Sequence, residues 1–585
     1  MTEPIAPYQT PNAFGALLDL GGYEMFNPDL TRGVVSNWHD PNERNSEVDN
    51  DQRLLFLRDA NGGYTKLTPS PAVTPSPFSS DPVFIGASED LTRVFFESTQ
   101  QLTPDAPPAG TSEVYEWANG AVSVVGVLPN GTVASEGATT ATLRGNVNNF
   151  EHKQAVSPDG TDIVFQSGSP SQVYLRSDGA TTTPVSLSQK PGSEGEPAAA
   201  GAKFLGGASA DGRTFSKIYF TSSSELTDDA FTGPSQEGSD LYEFDVASGE
   251  LRDLTVATGP QNPKGAEVVS EWFHASADGS YLYFFAGGVL APGGHVNSGN
   301  DLYVIHGGET KYVASFTSYW RPYVSASGAR LLIFTKAELT GEDTGSGIND
   351  EQAFIYDQSS GAIACASCTP GKTPSSAQPR GFITGYSHPT IHHPTNISAD
   401  GSRAFFETTT VLDPRDTNGQ ADVYEWENGA VRLISSGRGA EGAHFLDASA
   451  SGNDVFVVTG ERLLPSDRDS NLDVYDSRAG GGLPLPPPAG APCEGDACQA
   501  PPSAPNDATP ASAGFSGPGN ARERFAKPRK QRKAKKKKAK ARQKQRGKQR
   551  KSKARHKQRG KQRLAKRKRG AKQRAHARHS TRRHG

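Results

Sequence analysis

Four groups of residues in this chain have the types and spacing to do chemistry. His388, His392 and His393 stand close together, and the i, i+4 and i+5 spacing would suit metal ligation from a helix. Pro389 and Pro394 interrupt the segment, however, so an extended surface loop is expected instead. Four cysteines form two close pairs, Cys365 with Cys368 and Cys493 with Cys498. Brought together, they would make a four-thiolate zinc tetrahedron; kept apart, they would be two local disulfides or free thiols. No βαβ pattern of the thioredoxin kind surrounds Cys365, and the second pair sits in a Pro/Gly-rich stretch.

Acidic loops form the third group. Asp467, Asp469, Asn471 and Asp473 place oxygen ligands at alternate positions, and Asp416, Asn418 and Asp422 do much the same. Calcium loops use this spacing to fold around a hard cation. Ser477 and Glu427 occupy the twelfth positions, so neither loop has the closing glutamate of the EF-hand pattern. Asp422 and Asp473 are expected to cap turns or satisfy strand-end amides, with calcium as the alternative. The fourth group is a basic tail. From residue 521 to 585 there are 33 Lys plus Arg against one Glu, about +32, which leaves about −35 on residues 1 to 520 of a chain whose net charge is −3. Lys535, Lys536, Lys537, Lys538, Lys566, Arg567, Lys568 and Arg569 are its densest runs. Each such charge can neutralise a phosphate and release a counterion, so salt-sensitive, sequence-nonspecific polyanion binding is expected. With few apolar residues the tail has no core to bury and is expected to be disordered, free in solvent or lying against its own acidic half. Base stacking is not expected, because only Phe525 interleaves with the charges.

Several chemistries are missing. No Gly-x-Ser-x-Gly elbow, no Gly-x-x-x-x-Gly-Lys phosphate loop and no sialidase Asp-box can be found. No cofactor is expected. No apolar run reaches the length of a membrane span, and Met1 to Pro7 show neither a basic region nor an apolar one of the secretory kind.

The elements that must position these groups are repeated hairpins. Seven times an apolar segment runs into Ser-x-Asp-Gly or a close relative, at Ser88, Ser157, Ser209, Ser276, Ser325, Ser398 and Ser449, with starts 49 to 73 residues apart. In the copy Ser398-Ala399-Asp400-Gly401, Gly tolerates positive φ and Asp bonds its own backbone, so two strands flank a tight turn. A polar connection leads to a third strand, Asp422 to Trp426, and Asn428-Gly429 turns the chain into a fourth, Ala430 to Ile434. The third strand recurs as Val114-Tyr115, Val173-Tyr174, Leu241-Tyr242, Leu302-Tyr303, Ile355-Tyr356 and Val474-Tyr475. A weaker first copy runs from Tyr23 to Thr68. The spacing is that of propeller blades.

The fold class is therefore all-β, a β-propeller of four-stranded antiparallel blades, with eight blades expected and seven if the first copy is spurious. The blades are read as 22–70, 82–130, 150–190, 202–257, 266–316, 318–370, 380–437 and 441–482. A Pro/Gly-rich linker follows at 483–520, then the tail at 521–585. The last blade lacks a fourth strand, because glycines and a proline run follow Asp476. Within 1–21, Phe14 to Leu20 would supply that strand and close the ring.

The Ser-x-Asp-Gly turn, the apolar-aromatic strand after it and the Asp-Val-Tyr strand together resemble the repeat of TolB-like β-propellers over roughly residues 20 to 480. The two Cys pairs, the Pro-rich stretch to Asn520 and the basic tail resemble a group of exported actinobacterial propeller proteins. That resemblance implies an extracellular or cell-envelope location and two local disulfides, which suit an oxidising compartment. Members of the group usually start with a signal peptide, and this chain departs from them there, which keeps a cytoplasmic location as the alternative.

The function expected is non-enzymatic: a monomeric binding or scaffold propeller whose face engages a protein or glycan while the tail holds a polyanion, nucleic acid or anionic envelope polymer. A rival reading is a lyase or glycosidase with a site in the central channel, where Trp272, His274, Trp320, Arg321, His392 and His393 would meet. A third is a nucleic-acid-associated protein led by the tail.

Overall fold

The computed structural model describes residues 23–27, 31–37, 54–69, 82–140, 154–296, 301–316, 322–341, 351–369, 377–378 and 395–481. Every regular element among them is a strand, and the strands form eight antiparallel sheets, each contiguous in sequence. They span 23–66, 83–124, 162–184, 203–253, 268–315, 323–365, 377–433 and 444–478, and are numbered here as blades one to eight. The weak first copy is thus a complete blade, with strands Tyr23–Phe26, Gly33–Asn37, Leu54–Arg58 and Tyr64–Lys66, and the seven-blade alternative is set aside. Residues 14–20, expected from the sequence to form a closing strand, lie outside the described residues, as do the linker and the tail.

Six sheets have four strands and two have three. Among the described residues blade eight ends with its third strand, Asp473–Arg478. Blade three lacks a regular inner strand: that position is held by a single bridge between Val156 and Ile163. Inner strands elsewhere are irregular too, with register shifts at Phe84/Gly86, Phe204/Gly206 and Phe445/Asp447. Such bulges bend a strand and re-aim its side chains.

Alternation along the second strand explains why the blades stack. In Arg403–Thr408, Phe406 packs with Leu332 and Phe334 of blade six, while Phe405 packs with Phe445 and Val455 of blade eight. Tyr281–Ala286 does the same, Phe284 turning to blade four and Phe285 to blade six. Both faces of each inner blade are apolar, so each needs a neighbour on either side. Fully burying one such Phe contributes about 1.5 to 3 kcal/mol.

The recurring turn also joins blades. Within it, the Ser398 hydroxyl donates to Asp400 (2.7 Å) and accepts the Arg403 N–H (3.0 Å), while Asp400 also accepts the Ser402 N–H (2.9 Å). These donors hold the Asp400 carboxyl low, at about 2. Turns of adjacent blades then bond to one another: Glu89 N–H to the Pro158 carbonyl (2.8 Å), Ser209 to Ala277 (2.7 Å), Ser327 to Ala399 (2.9 Å) and Ala399 to Ala450 (2.7 Å). Main-chain groups that a tight turn would leave to solvent become rungs between blades.

Candidate functional site

In blades two to seven the first residue of the third strand is polar and buried, as Glu113, Gln172, Asp240, Asp301, Gln352 and Asp422, while blade one has Leu54 there and blade eight the exposed Asp473. In blades three, six and seven the oxygen of this first residue accepts from a hydroxyl just past the outer strand, Ser186 to Gln172 (2.9 Å), Ser367 to Gln352 (2.7 Å) and Ser435 to Asp422 (2.5 Å). The same hydroxyls accept the next N–H of the third strand, from Val173, Ala353 and Val423. One oxygen therefore serves a structural clamp, and a neutral amide suffices for it in blades three and six. Where a carboxylate stands instead, a second oxygen needs its own partner, which Asp301 finds in the His295 N–H (2.6 Å). Glu113 Oε2, Asp240 Oδ1 and Asp422 Oδ2 are buried without a hydrogen-bond partner. Burial pushes Glu113 up to about 7 and raises Asp240, which also faces the neighbouring carboxylate of Asp253.

The acidic loops of blades seven and eight run directly into this position. In blade eight, ligand atoms of Asp467, Asp469 and Asp473 all lie within 4.8 Å of one another, with Asp469 and Asp473 exposed. Asn471 instead gives its N–H to Asp469 (2.9 Å). In blade seven the equivalent residues are Asp416, Asn418 and Asp422, and Asp416 and Asp422 are only 3% and 1% exposed. Asp422 accepts from the clamp hydroxyl of Ser435.

The proposed channel residues are placed differently from one another. Trp272 and His274 share a face of Val268–Ala275. Trp272 is 7% exposed and meets Phe285 edge-on at 5.4 Å, inside the cluster joining blades five and six. His274 is held down at about 4 by desolvation, so its ring is neutral at pH 7. Trp320, Arg321, His392 and His393 lie outside the described residues. So do Cys493 and Cys498 and the basic runs 535–538 and 566–569. Cys365 and Cys368 are joined by a disulfide, their Cα atoms 5.6 Å apart.

A pocket of about 620 Å³, not anticipated from the sequence, opens where blades three, four and five meet. Ser171, Lys203, Thr221, Ser223, Val269 and Ser270 line part of it, and its lining has neither histidine nor carboxylate. Ser222 and Ser239 spend their hydroxyls on the Gly201 and Val268 carbonyls (2.6 Å each), fixing the walls. Lys203 Nζ donates to Ser270 Oγ at 3.2 Å. Hydroxyl donors around a single ammonium group suit hydrogen bonding to a polyhydroxylated or anionic ligand. The run Ser222-Ser223-Ser224 was its one trace in the sequence. Among the described residues no helix is long and apolar enough to cross a membrane.

No protein-family model matches the chain, and no curated protein sequence matches it either. Solved structures similar to it include TolB from Acinetobacter baumannii, 13% identical over 58% of this chain and 65% of that one, with a TM-score of 0.27. The β-propeller domain of the trilobed protease from Pyrococcus furiosus is 14% identical over 68% and 93% of the two chains, with a TM-score of 0.28. Oligogalacturonate lyase from Vibrio parahaemolyticus is 9% identical over 56% and 74%, with a TM-score of 0.27. The chain spans 65% of the Acinetobacter TolB and 52% of a similar prolyl endopeptidase. This chain is an eight-bladed β-propeller, and TolB-like propellers stand among the structures similar to it.

Proposed function

We propose that this protein is a non-enzymatic binding or scaffold propeller of the cell envelope, whose blades engage a protein or glycan and whose basic tail holds polyanions without sequence preference. The observation that carries the reading is the division of charge, about +32 on residues 521–585 against about −35 on the rest. A segment so basic and so poor in apolar residues gains affinity from phosphates or other anionic groups by releasing counterions. The pocket supports a glycan or small anion at the propeller itself, since its hydroxyls and Lys203 offer hydrogen bonds but no nucleophile paired with a base.

The test is retention of the full-length protein on immobilised DNA and on an anionic wall polymer across a salt series. Retention that falls steeply with salt on both supports, and is lost when residues 521–585 are deleted, is the expected result. Retention unchanged by the deletion overturns the role of the tail. Substrate turnover by the protein lacking 521–585 would replace the binding reading with the enzymatic one.

A further inference from the structure

The loop 416–422 in blade seven holds two carboxylates under unusual constraint. Asp416 Oδ2 accepts from the Tyr424 hydroxyl at 2.5 Å, and Asp422 Oδ1 accepts from Ser435 Oγ at 2.5 Å. Their other oxygens, Asp416 Oδ1 and Asp422 Oδ2, are buried and have no hydrogen-bond partner. Burial raises the Asp422 carboxyl, and the nearby Asp416 charge adds to the rise against the Ser435 hydroxyl and the Asn418 amide. Among the described residues neither carboxylate pairs with Lys or Arg, and Arg415, the nearest in sequence, is bound to Asp413 at 2.7 Å. Uncompensated charge at such burial costs several kcal/mol.

Asn418 stands between them in sequence. Its amide nitrogen donates to the Gly439 carbonyl (3.0 Å), and its Oδ1 accepts the Gln420 N–H (2.8 Å) while keeping a second lone pair. Gly419, at φ +68°, makes the sharp turn of the loop. Two carboxylate oxygens, with an amide oxygen two residues from the first, match a hard divalent cation of the size of calcium in both charge and ligand type.

Blade eight repeats the device independently. The Tyr475 hydroxyl donates to Asp467 Oδ2 at 2.6 Å, as Tyr424 does to Asp416, and the carboxylates of Asp467, Asp469 and Asp473 converge. In blades two, four and five the corresponding tyrosines, Tyr115, Tyr242 and Tyr303, donate to backbone carbonyls of Gln100, Ser224 and Gly288. The acid in this place is therefore an addition in blades seven and eight and not a requirement of the blade.

We propose that the loops 416–422 and 467–473 each bind a calcium-class divalent cation, through Asp416, Asn418 and Asp422 in the first and Asp467, Asp469 and Asp473 in the second. The buried pair makes blade seven the tighter site. The bound ion locks the connection between second and third strands at the end of the propeller.

The experiment is terbium titration of chelator-stripped, full-length protein with excitation of tyrosine, since Tyr424 and Tyr475 each touch a ligand. Saturable sensitised emission, displaced by Ca²⁺, is expected. Asp416→Asn with Asp422→Asn should remove the tighter component, and adding Asp467→Asn with Asp473→Asn should remove the rest. Ca²⁺ should also raise the thermal unfolding midpoint of the parent and leave that of the fourfold variant unmoved. The amide at 422 keeps the clamp, as Gln172 and Gln352 do in their blades, so the metal-free variants should retain the parent circular dichroism spectrum. Emission that does not saturate, or that survives all four substitutions, overturns the proposal. So does a parent protein whose unfolding is indifferent to Ca²⁺ and whose variants are destabilised equally with and without it, because capping alone would do that.

Discussion

The guanidinium of Arg403, at the start of the second strand of blade seven, crosses the blade boundary to the carbonyl of Gly452 in the turn of blade eight, at 2.9 Å. The same side chain faces Glu425 (3.5 Å) and Glu427 (3.1 Å) on its own sheet, and Glu425 is 7% exposed. Arg32 and Arg330 make the equivalent reach to the carbonyls of Asp90 and Gly401. A planar guanidinium has enough donors to serve both the carboxylates and the next blade, which an ammonium group cannot match.

Replacing Arg403 by Met keeps most of the aliphatic stem but strands Glu425 and empties the bond to Gly452. The expected cost is about 2 to 4 kcal/mol, nearer the buried-pair than the surface-pair range. Hydrogen exchange should locate the damage: amides of 454–459 in blade eight should exchange faster, while those of 217–222 in blade four should be unchanged. Uniform acceleration through all blades would show that the arginine does not act at the junction.

Turn glycines separate backbone strain from close approach. Gly401 has φ +74°, and a Cβ placed there would lie 2.8 Å from Arg330 Cβ; Gly429 has φ +93° and open space around it. Gly429→Ala should therefore cost about 1 kcal/mol, the left-handed penalty alone. Gly401→Ala should cost at least twice that, since blades six and seven must also move apart. Equal urea midpoints for the two variants would contradict the contact between turn and neighbouring blade.

Legibility followed the range of the interaction. Ser398 to Gly401 and the strand around Tyr424 are local patterns, so hairpins and blade count could be read from residue order alone. The contacts between turns, such as Ala399 with Ala450, depend on how one blade sits on the next, and no local pattern encodes that. Trp272 shows the same limit at the site. An aromatic at alternating spacing has the same signature whether it faces a ligand or a neighbouring blade, and only the packed structure puts Trp272 against Phe285. The pocket at Lys203 was hidden because Ser and Thr at strand ends are ordinary residues until three blades bring them together. The acidic loops were visible as spacing, while the buried, unpartnered state of Asp416 and Asp422 was not.

Leu91 stands where later turns have glycine, with φ +54° and no exposed surface. Two effects oppose each other on Leu91→Gly. Relief of the left-handed backbone gains about 1 kcal/mol. Loss of the buried side chain, which packs with Phe84, Val94 and Phe96, costs about 2 to 5 kcal/mol. Packing wins, so the variant should be less stable by about 1 to 4 kcal/mol in equilibrium denaturation, despite matching the other turns. A stabilised variant would mean that Leu91 is strained without return.

Glu113 makes stability depend on pH in a direction opposite to that of a salt-bridged acid. Its Oε1 accepts the Val114 and Gly126 N–H groups, while desolvation, aided by Glu97 and Asp105, lifts the carboxyl from its ordinary 4.5 to about 7. Between those values the folded chain keeps a proton that the unfolded chain has lost, so stability from this group declines as pH rises through the window and then levels off. The full penalty above pH 7 is at most about 3.5 kcal/mol, because each tenfold change in proton affinity is worth about 1.4 kcal/mol. Glu113→Gln puts into blade two the amide that blades three and six already carry at Gln172 and Gln352. It should flatten the profile from pH 4.5 to 7 and raise stability at pH 8 by about 1 to 3 kcal/mol, with little change at pH 4. Denaturant midpoints of parent and variant across that range supply the check, and profiles that stay parallel throughout would show that Glu113 is ionised in the fold at every pH tested.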